Sequence, residues 1–573
     1  MKNQEIAEIF YEMADILEMQ GVEWKPRAYR RAAKSIESLS EAVEDIYERG
    51  GIKELQEIPG VGERIAKKIV EYIEKGKIKE HQKLRKSIPK HINRLMDIPG
   101  MGPKKAKKIY DKLKISTMAQ LEKAIKQHRI AKLPGMGEKS EQDLLRGIQI
   151  YKGGKQRKLL GEVLPVADEL KVYLEKSAFI KKVDIAGSLR RMKETIGDID
   201  ILTISSKPEK AMDYFTKFPD IRDVLAKGKT KATVILKSGI QADVRVIEPS
   251  SYGAALQYFT GSKEHSVALR SIAKKKGLKI SEYGVFRTKL NKLVAGKTEQ
   301  EVYNAVGLSF IEPELRENRG EIEAAMSGKL PKLVRFSDIK GDLHVHSKYS
   351  DGNNTIKEIA EAARKFGYQY ICISDHSQTR KIAGGVSESD FAKKLEEVKK
   401  INRQVKGIKV LMGTEVDILA DGSLDYPDEL LRKTDIVTAA VHSGFKFSKS
   451  RMTNRVLKAL ENKYVDVLAH PTGRIINYRP GYEVDLRQLM KVCAEKKIAM
   501  EINASPDRLD LNDLNIREAI EKGVKLAIGT DSHSTDQLRF MKLGVATARR
   551  GWAMKKDILN TLSFNQLSKF FGR

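Results

Sequence analysis

Short apolar segments recur beyond residue 340, and most of them end in a histidine or an acidic residue. The segments are YICISDH, KVLMGTE, IVTAAVH, VDVLAHP, IAMEINAS and KLAIGTDSH. Stretches with a helical pattern lie between them. Buried strands that alternate with helices are typical of parallel sheets, so this part of the chain is predicted to form a parallel α/β barrel or sheet.

Six of the ten histidines also lie beyond residue 340, and each follows or ends a predicted strand. Three acidic residues occupy equivalent positions. In a parallel barrel the carboxyl ends of the strands converge on one mouth, so these nine groups are expected to meet there. An HxH pattern on a strand places both imidazoles on one face, as a shared metal ion requires. The candidate ligands are His344, His346, Asp351, His376, Glu415, His442, His470, Asp531 and His533.

The first 150 residues have a different pattern, namely short amphipathic helices joined by glycine turns. A repeat occurs three times, as IPGVGERIA at 58–66, IPGMGPKKA at 98–106 and LPGMGEKSE at 133–141. The glycines permit a tight turn, and the following helix begins with exposed backbone N–H groups that suit a phosphate. The repeat resembles the helix-hairpin-helix, a module that grips the DNA backbone. The DNA-binding candidates here are Gly60, Gly62, Arg64, Lys68, Gly100, Gly102, Lys104, Lys105, Gly135 and Gly137.

The charge of the chain supports a polyanionic partner. Lys and Arg number 106 against 77 Asp and Glu, for a formal net charge of +29. Residues 76–158 alone hold 23 basic and 7 acidic residues, which is more than half of the excess. A basic excess concentrated in one segment favours nucleic acid over general solubility as its explanation.

Several classes of protein are excluded. The two cysteines, Cys372 and Cys493, are too few for a disulfide framework or a zinc knuckle. The N-terminus lacks the apolar core of a signal peptide, and no apolar run approaches the ~20 residues of a membrane span. We therefore expect a cytoplasmic, monomeric protein without a membrane partner.

Between residues 180 and 250 lie four short β-rich segments, VDIAGS, GDIDILTI, ATVILK and IQADVRVI. The last two are joined by a Ser238–Gly239 turn, which predicts a hairpin. Asp198 and Asp200 alternate along one strand and so share a face, and the hairpin supplies a third acid, Asp243. Three carboxylates on adjacent strands suit two Mg²⁺ or Mn²⁺ ions for in-line phosphoryl transfer.

Gly187-Ser188 precedes this DxD pair by nine residues, and this spacing resembles the nucleotidyltransferase signature. Together with SYGAALQYFTGSKEHSVALR (251–270) and ELRENRGEIEAA (314–325), it is similar to family X DNA polymerases, the polymerase beta group. The resemblance covers about residues 1–325. It implies a lyase-type domain, fingers, palm and thumb, with Asp198, Asp200 and Asp243 as catalytic metal ligands.

The same resemblance implies contacts with the substrates. Ser188, Arg191 and Gly197 would contact the triphosphate of a dNTP, Tyr258 and Phe259 its sugar, and Arg270 the template strand. Lys263 and Ser266 stand where the family's animal members carry Asp and Asn, which leaves the contacts to the incoming base open. The nucleotide-binding candidates are Gly187, Ser188, Arg191, Gly197, Tyr258, Phe259 and Gly261.

The N-terminal segments WKPRAYRRAA (24–33) and IPGVGERIAKKI (58–69) match the family's small 5′-phosphate-binding domain. The match implies that Lys25 and Tyr29 contact a 5′-phosphate, while Arg64 replaces a second lysine. Lys68 falls at the position of the lysine that forms an imine with a 5′-deoxyribose phosphate. Lyase chemistry and plain phosphate binding both remain open for Lys68.

The histidine-rich part, about residues 336–573, resembles the PHP domain (polymerase and histidinol phosphatase). The resemblance implies a distorted β/α barrel with up to three metal ions and phosphoesterase activity. His344, His346, Glu415 and Asp531 would hold one ion, Glu415, His442 and His470 a second, and Asp351, His376 and His533 a third. This mixture of imidazole and carboxylate suits Mn²⁺ or Zn²⁺ and does not choose between them.

The sequence as a whole predicts a multidomain chain. The predicted divisions are a 5′-phosphate domain (1–90), helix-hairpin-helix fingers (91–155), an α+β nucleotidyltransferase palm (156–250), a thumb (251–317), a linker (318–335) and a PHP barrel (336–573). The predicted function is filling of short gaps in DNA repair, on gapped or nicked DNA with a 5′-phosphate. A 3′–5′ exonuclease, and an abasic-site endonuclease beside it, are assigned to the barrel. The alternatives are a phosphatase fused to a DNA-binding arm, with an inactive palm, and a DNA-end-binding scaffold.

Overall fold

The computed structural model describes residues 2–37, 43–88, 92–96, 98, 101–155, 157–289 and 292–572. None of the described helices is both long and apolar enough to cross a membrane.

The chain begins with a helical domain around its own apolar core, to which Phe10, Ala33 and Ile69 contribute. A turn at Gly60, with φ of 86°, leads into the fourth helix, whose N-terminal residue is preceded by Gly62. Only residues that tolerate a left-handed backbone suit such a turn. The helices are α1 (Lys2–Met19), α2 (Lys25–Glu37), α3 (Val43–Gln56), α4 (Glu63–Lys75) and α5 (Lys79–Lys86).

A second helical unit has a separate core that includes Ile109, Leu121 and Leu144. The third copy of the glycine repeat again turns through a left-handed residue, Gly135 with φ of 72°. Gly100, in the second copy, lies outside the described residues. The helices are α6 (Asn93–Met96), α7 (Pro103–Leu113), α8 (Met118–Lys126) and α9 (Glu138–Lys155).

An α+β domain with a five-stranded sheet follows. The strand order is β2-β4-β7-β6-β5, with β4 and β7 parallel and the β6–β7 hairpin turning at Ser238–Gly239 as predicted. Its elements are β1 (Lys158–Leu159), α10 (Leu160–Glu175), β2 (Ile180–Ile185), α11 (Gly187–Arg190), β3 (Thr195–Ile196), β4 (Asp198–Ser205), α12 (Pro208–Phe215), β5 (Ile221–Lys227), β6 (Lys231–Leu236) and β7 (Gln241–Val246).

The next segment forms helices against a three-stranded antiparallel sheet of order β10-β9-β8. Its apolar core includes Leu269 and Val302, and it also takes in Ile322, Ala325 and Leu333 from the stretch predicted to be a linker. The elements are α13 (Tyr252–Thr260), α14 (Lys263–Lys275), β8 (Leu278–Ser281), β9 (Gly284–Arg287), β10 (Lys292–Ala295), α15 (Glu299–Ala305) and α16 (Glu321–Met326).

The remaining residues form a nearly closed barrel of seven parallel strands in chain order, so the predicted parallel fold is confirmed. Two backbone hydrogen bonds connect the ends of the first and last strands of the ring. The His346 N–H donates to the Ser532 carbonyl and the Asp531 N–H donates to the His344 carbonyl, both at 2.9 Å. The strands are β11 (Gly341–Val345), β12 (Tyr370–Ile373), β13 (Lys409–Asp417), β14 (Ile436–Ala440), β15 (Val467–Leu468), β16 (Ala499–Asn503) and β17 (Leu526–Gly529). The helices are α17 (Ile356–Lys365), α18 (Glu388–Gln404), α19 (Asp428–Leu431), α20 (Lys449–Leu460), α21 (Leu486–Lys496), α22 (Asp513–Glu521), α23 (Met541–Arg550) and α24 (Phe564–Phe570).

The barrel packs directly on the five-stranded domain. Leu509 and Leu543 of the barrel belong to the apolar cluster beneath that sheet. Arg474 of the barrel lies 2.8 Å from the Glu194 carboxylate across the boundary. Apolar and ionic contacts therefore both hold the barrel against this domain.

Candidate active sites

Three carboxylates meet at one edge of the five-stranded sheet. Asp198 and Asp200 alternate on β4, and the parallel register places Asp200 directly opposite Asp243 of β7. One oxygen from each lies within 4.8 Å of the others. Gly187 borders the cluster with φ of 64°, and a Cβ there would lie 2.4 Å from Asp200 Oδ2. A glycine is therefore required at this position both by its conformation and by the close approach.

The carboxylates repel one another. Burial, and then the Asp198 and Asp243 charges, raise the pKa of Asp200 to about 7. Burial and Asp243 likewise raise the pKa of Asp198. Asp243 itself accepts hydrogen bonds from Thr233 Oγ1 and Gln241 Nε2, and Lys231 Nζ lies 3.1 Å away. Oxygen-only ligands crowded in this way fit hard divalent cations such as Mg²⁺ or Mn²⁺.

The residues predicted to contact the triphosphate lie beside this cluster, but the guanidinium of Arg191 is hydrogen-bonded to other protein groups. Its Nε lies 3.1 Å from Glu317 Oε1, and its Nη1 donates to the Thr260 carbonyl. Ser188 and Arg191 line a cavity of about 520 Å³ at the boundary with the barrel. Arg157 also lines this cavity, and a Cβ at Gly197 would lie 3.1 Å from its guanidinium. Sequence reasoning missed Arg157, whose only signal was its place in a basic run.

The predicted sugar-contacting aromatics form a packed pair. The Tyr258 and Phe259 rings are 5.2 Å apart edge to face, and the Arg245 guanidinium lies 4.8 Å from the centre of Phe259. Arg191 Nη1 lies 3.1 Å from the position of a Cβ at Gly261, which links these aromatics to the phosphate side. Arg270 is half-buried, with its Nε donating to the Ser266 carbonyl at 3.2 Å.

In the N-terminal domain, two predicted phosphate contacts converge on one carboxylate. Lys68 Nζ lies 2.8 Å from Glu80 Oε2, and Tyr29 hydrogen-bonds the same side chain. Burial and Glu80 raise the pKa of Tyr29. Lys25 and Arg64 are exposed, whereas Lys68 is held in an ion pair.

The other glycine-repeat candidates mark the starts of helices. Gly62 and Gly102 immediately precede α4 and α7 in extended conformation, and Gly137 precedes α9. Lys104 is exposed and Lys105 half-buried on the first turn of α7. Such helix starts, with backbone N–H groups free of intrahelical partners, suit phosphate oxygens.

Five of the candidate histidines at the barrel mouth contact Glu415. This residue lies inside β13 and not at its end, because the strand continues to Asp417. The Oε1 atom of Glu415 lies 2.8 Å from His470 Nε2 and 3.2 Å from His442 Nε2. Its Oε2 lies 3.5 Å from His344 Nε2 and 3.6 Å from His346 Nε2. The two oxygens of one carboxylate thus face two separate histidine pairs.

The remaining candidate ligands lie beside these histidine pairs. Asp531 Oδ1 lies 3.1 Å from His346 Nε2, on the side of Glu415 Oε2. Asp351 lies 3.3 Å from His533 Nε2 and 3.6 Å from His376 Nε2. The other ring nitrogen of His376, Nδ1, lies close to Glu415. The ring therefore lies between Glu415 and the third predicted metal site, and does not belong to that third site alone.

Charge is compensated within this cluster. The surrounding imidazoles hold the pKa of Glu415 well below its usual range, against its burial. Glu415 and Asp351 in turn raise the pKa of His376 to about 10. His376 Nδ1 and Glu415 Oε2 are 2.8 Å apart, yet among the described residues neither atom makes a well-formed hydrogen bond. Buried donor and acceptor atoms that face a common space in this way fit transition-metal ligation.

Two carboxylates that the sequence analysis did not identify lie within hydrogen-bond distance of Nδ1 of two candidate ligands. Glu501 Oε1 lies 2.7 Å from His344 Nδ1, and Asp417 Oδ1 lies 2.5 Å from His442 Nδ1. A carboxylate on Nδ1 orients the ring and leaves Nε2 for a metal. The available signal was an acidic residue within an otherwise apolar strand, as in IAMEINAS.

Comparisons with known families match four segments of the chain. The DNA polymerase beta thumb family matches residues 255–317, and the PHP domain matches residues 342–505. A helix-hairpin-helix domain matches residues 1–78, and a SAM-like helix-hairpin-helix tandem matches residues 92–149.

Individual relatives divide into two groups. The DNA polymerase/3′-5′ exonuclease PolX of Bacillus subtilis (strain 168) is 36% identical over 578 aligned residues and covers 100% of both chains. A probable phosphatase of Thermoanaerobacter sp. (strain X514) is 34% identical over 38% of this chain and 89% of its own. Another, of Caldicellulosiruptor bescii, is 30% identical over 34% of this chain and 79% of its own. Full-length identity at this level, with the thumb and PHP matches, shows that the chain belongs to the family X DNA polymerases that carry a C-terminal PHP domain.

Proposed function

We propose that this chain is a monomeric, template-directed DNA polymerase that fills short gaps during DNA repair and also removes nucleotides from 3′ ends. The observation that carries the polymerase activity is the trio of Asp198, Asp200 and Asp243, whose carboxylates converge closely enough to raise the pKa of Asp200 to about 7 together with its burial. The full-length relative named for both activities supports the combination.

In the palm, the three carboxylates would hold two Mg²⁺ or Mn²⁺ ions. Such ions would supply activation of the primer 3′-hydroxyl and charge stabilisation for the departing pyrophosphate of the dNTP. Ser188 and Arg191 would bind the triphosphate, and Tyr258 and Phe259 would pack against the sugar. For Arg191 this requires that its ion pair with Glu317 open when the nucleotide binds.

At the barrel mouth, the nine ligands would hold up to three Mn²⁺ or Zn²⁺ ions. Such ions would activate water for attack and compensate the charge of the phosphodiester. Glu501 and Asp417 would orient His344 and His442. The relatives that match mainly the barrel are named probable phosphatases, which agrees with phosphoesterase chemistry at this site.

The deciding experiment measures primer extension and 3′-end degradation on one gapped substrate, with each divalent metal in turn. Asp198→Ala should abolish extension and spare degradation, and His344→Ala should do the reverse. Matched controls are Asp213→Ala, an exposed palm carboxylate, and His128→Ala, whose side chain is 79% exposed in the second helical unit. Extension by Asp198→Ala at the wild-type rate would overturn the polymerase assignment. An abasic site in the same substrate reports endonuclease activity.

The substrate is proposed to be gapped or nicked DNA with a 5′-phosphate. Backbone contacts release counterions, so affinity should fall steeply between about 50 and 200 mM salt, independently of sequence. Removing the 5′-phosphate or introducing Lys68→Ala should weaken binding. Lys67→Ala, the adjacent lysine that pairs with Glu63, serves as the control. Borohydride trapping of a 5′-deoxyribose phosphate end tests the lyase role, because reduction fixes an imine with whichever amine forms it; trapping by the wild type and its loss in Lys68→Ala would assign the imine to Lys68.

A further inference from the structure

One exposed aromatic side chain lies on the loop that runs from His470 at the barrel mouth to the palm. Residues 471–481, here called the crossing loop, follow His470 directly and turn back through Ile475 and Arg479. Tyr478 lies at the tip of this turn, and 86% of it is exposed. An exposed aromatic ring of this kind offers a flat face on which a nucleic-acid base can stack.

The crossing loop is fixed to the palm at several points. Asn477, next to the tyrosine, donates through Nδ2 to the Arg157 carbonyl at 2.8 Å. Ile476 packs against the apolar cluster of the palm, and Arg474 pairs with Glu194. Tyr478 is therefore displayed on a rigid support and not on a loose loop.

Guanidinium groups lie on both sides of the boundary that the crossing loop spans. On the palm side, the Arg157 guanidinium adjoins Gly197, the residue before Asp198. On the barrel side, Arg474 donates to the carbonyls of Arg508 and Leu509, and Arg508 Nε lies 3.5 Å from Asp531 Oδ2. A DNA strand that passed over Tyr478 would meet a guanidinium in each direction.

We propose that the crossing loop is the path along which an unpaired 3′ end passes from the palm to the barrel, with Tyr478 as a platform for one of its bases. An aromatic ring can stack on any of the four bases. This suits a 3′ end that carries a misincorporated nucleotide, because that nucleotide can have any base. Flanking guanidinium groups suit the phosphates of a single DNA strand. The inference rests on the proposed function, because it requires both sites to act on the same end.

The experiment uses the full chain and a primer–template with a short mismatched 3′ tail. Tyr478→Ala should slow removal of the tail about tenfold, as expected for the loss of one stacked base. Tyr478→Phe and Tyr478→Trp should retain the wild-type rate, because the ring persists. Hydrolysis of bis(p-nitrophenyl) phosphate by Tyr478→Ala should match the wild type, because that diester has no further base to stack.

A matched control lies elsewhere on the rim of the barrel. Ile382 is 97% exposed on the loop after β12, whereas the loops after β15, β16 and β17 contact the palm. Ile382→Ala should leave tail removal at the wild-type rate.

Three outcomes would overturn the inference. These are tail removal by Tyr478→Ala at the wild-type rate, a Phe variant as slow as the Ala variant, and equal slowing by Ile382→Ala, which would indicate general contact with the rim. Failure of the proposed function is distinguishable, because the wild-type chain would then hydrolyse neither the tail nor the small diester.

Discussion

The palm and the barrel mouth both gather acidic side chains for phosphate chemistry, but they balance charge differently. In the palm, three carboxylates converge and the pKa of Asp200 rises to about 7, chiefly from burial and then from its acidic neighbours. At the barrel mouth, imidazoles surround the central carboxylate, and the pKa of Glu415 is held well below its usual range. The carboxylates of the palm therefore repel one another, whereas at the barrel mouth the imidazoles favour the charged form of the carboxylate.

This difference in charge balance predicts how each site responds when divalent cations bind. A carboxylate cluster is relieved only by an added positive charge, so the palm should gain stability when divalent ions bind. A histidine-carboxylate cluster must release protons to accept metal, so protons and metal compete there. The two sites should therefore respond in opposite ways to loss of a carboxylate.

The largest expected effect follows from the central position of Glu415. Glu415→Gln should lower 3′-end degradation by orders of magnitude, because each of its oxygens faces a different histidine pair. Primer extension should persist, since Glu415 belongs to another domain. Parallel rate measurements on one gapped substrate check this, with the exposed Asp421→Asn as control. Retained degradation would place the nuclease away from Glu415, and joint loss would show that the barrel supports the palm structurally.

An intermediate effect is expected for the supporting carboxylates. Glu501→Gln and Asp417→Asn should each weaken metal binding or degradation by about 10- to 100-fold, because they orient His344 and His442. Titration of the chelator-treated protein with Mn²⁺ or Zn²⁺, beside the degradation assay, measures both. Wild-type affinity in both variants would mean that the ligands are positioned by packing alone.

The smallest effect concerns stability in chelator. Asp200→Asn should raise the thermal midpoint by a few degrees, whereas Glu415→Gln should lower it by leaving buried imidazolium groups unpaired. The Asp200 gain should grow with pH, because a raised folded-state pKa costs stability progressively from the ordinary value of 3.8 up to about 7. Differential scanning calorimetry across this range measures it. Midpoints that shift in the same direction for both variants would remove the contrast between the sites.

The barrel was the more predictable of the two regions. Consecutive parallel strands bring their carboxyl ends to one mouth whatever the details of packing, so the positions of His442 and His470 after their strands were enough to expect them together. The parallel fold was confirmed. Glu415 differed only in lying inside its strand, a boundary that apolar patterning locates poorly.

Which side chains share a strand face, and which strand ends carry ligands, could be predicted from the chain alone, because these follow from the local periodicity of the backbone. The fold was needed to find the register that sets Asp243 against Asp200, the ion pair of Glu317 with Arg191, and the hydrogen bond from Asn477 to Arg157. Such pairs are distant in sequence, and their meeting depends on how whole domains pack and on which buried charges must be compensated. No local pattern encodes that packing.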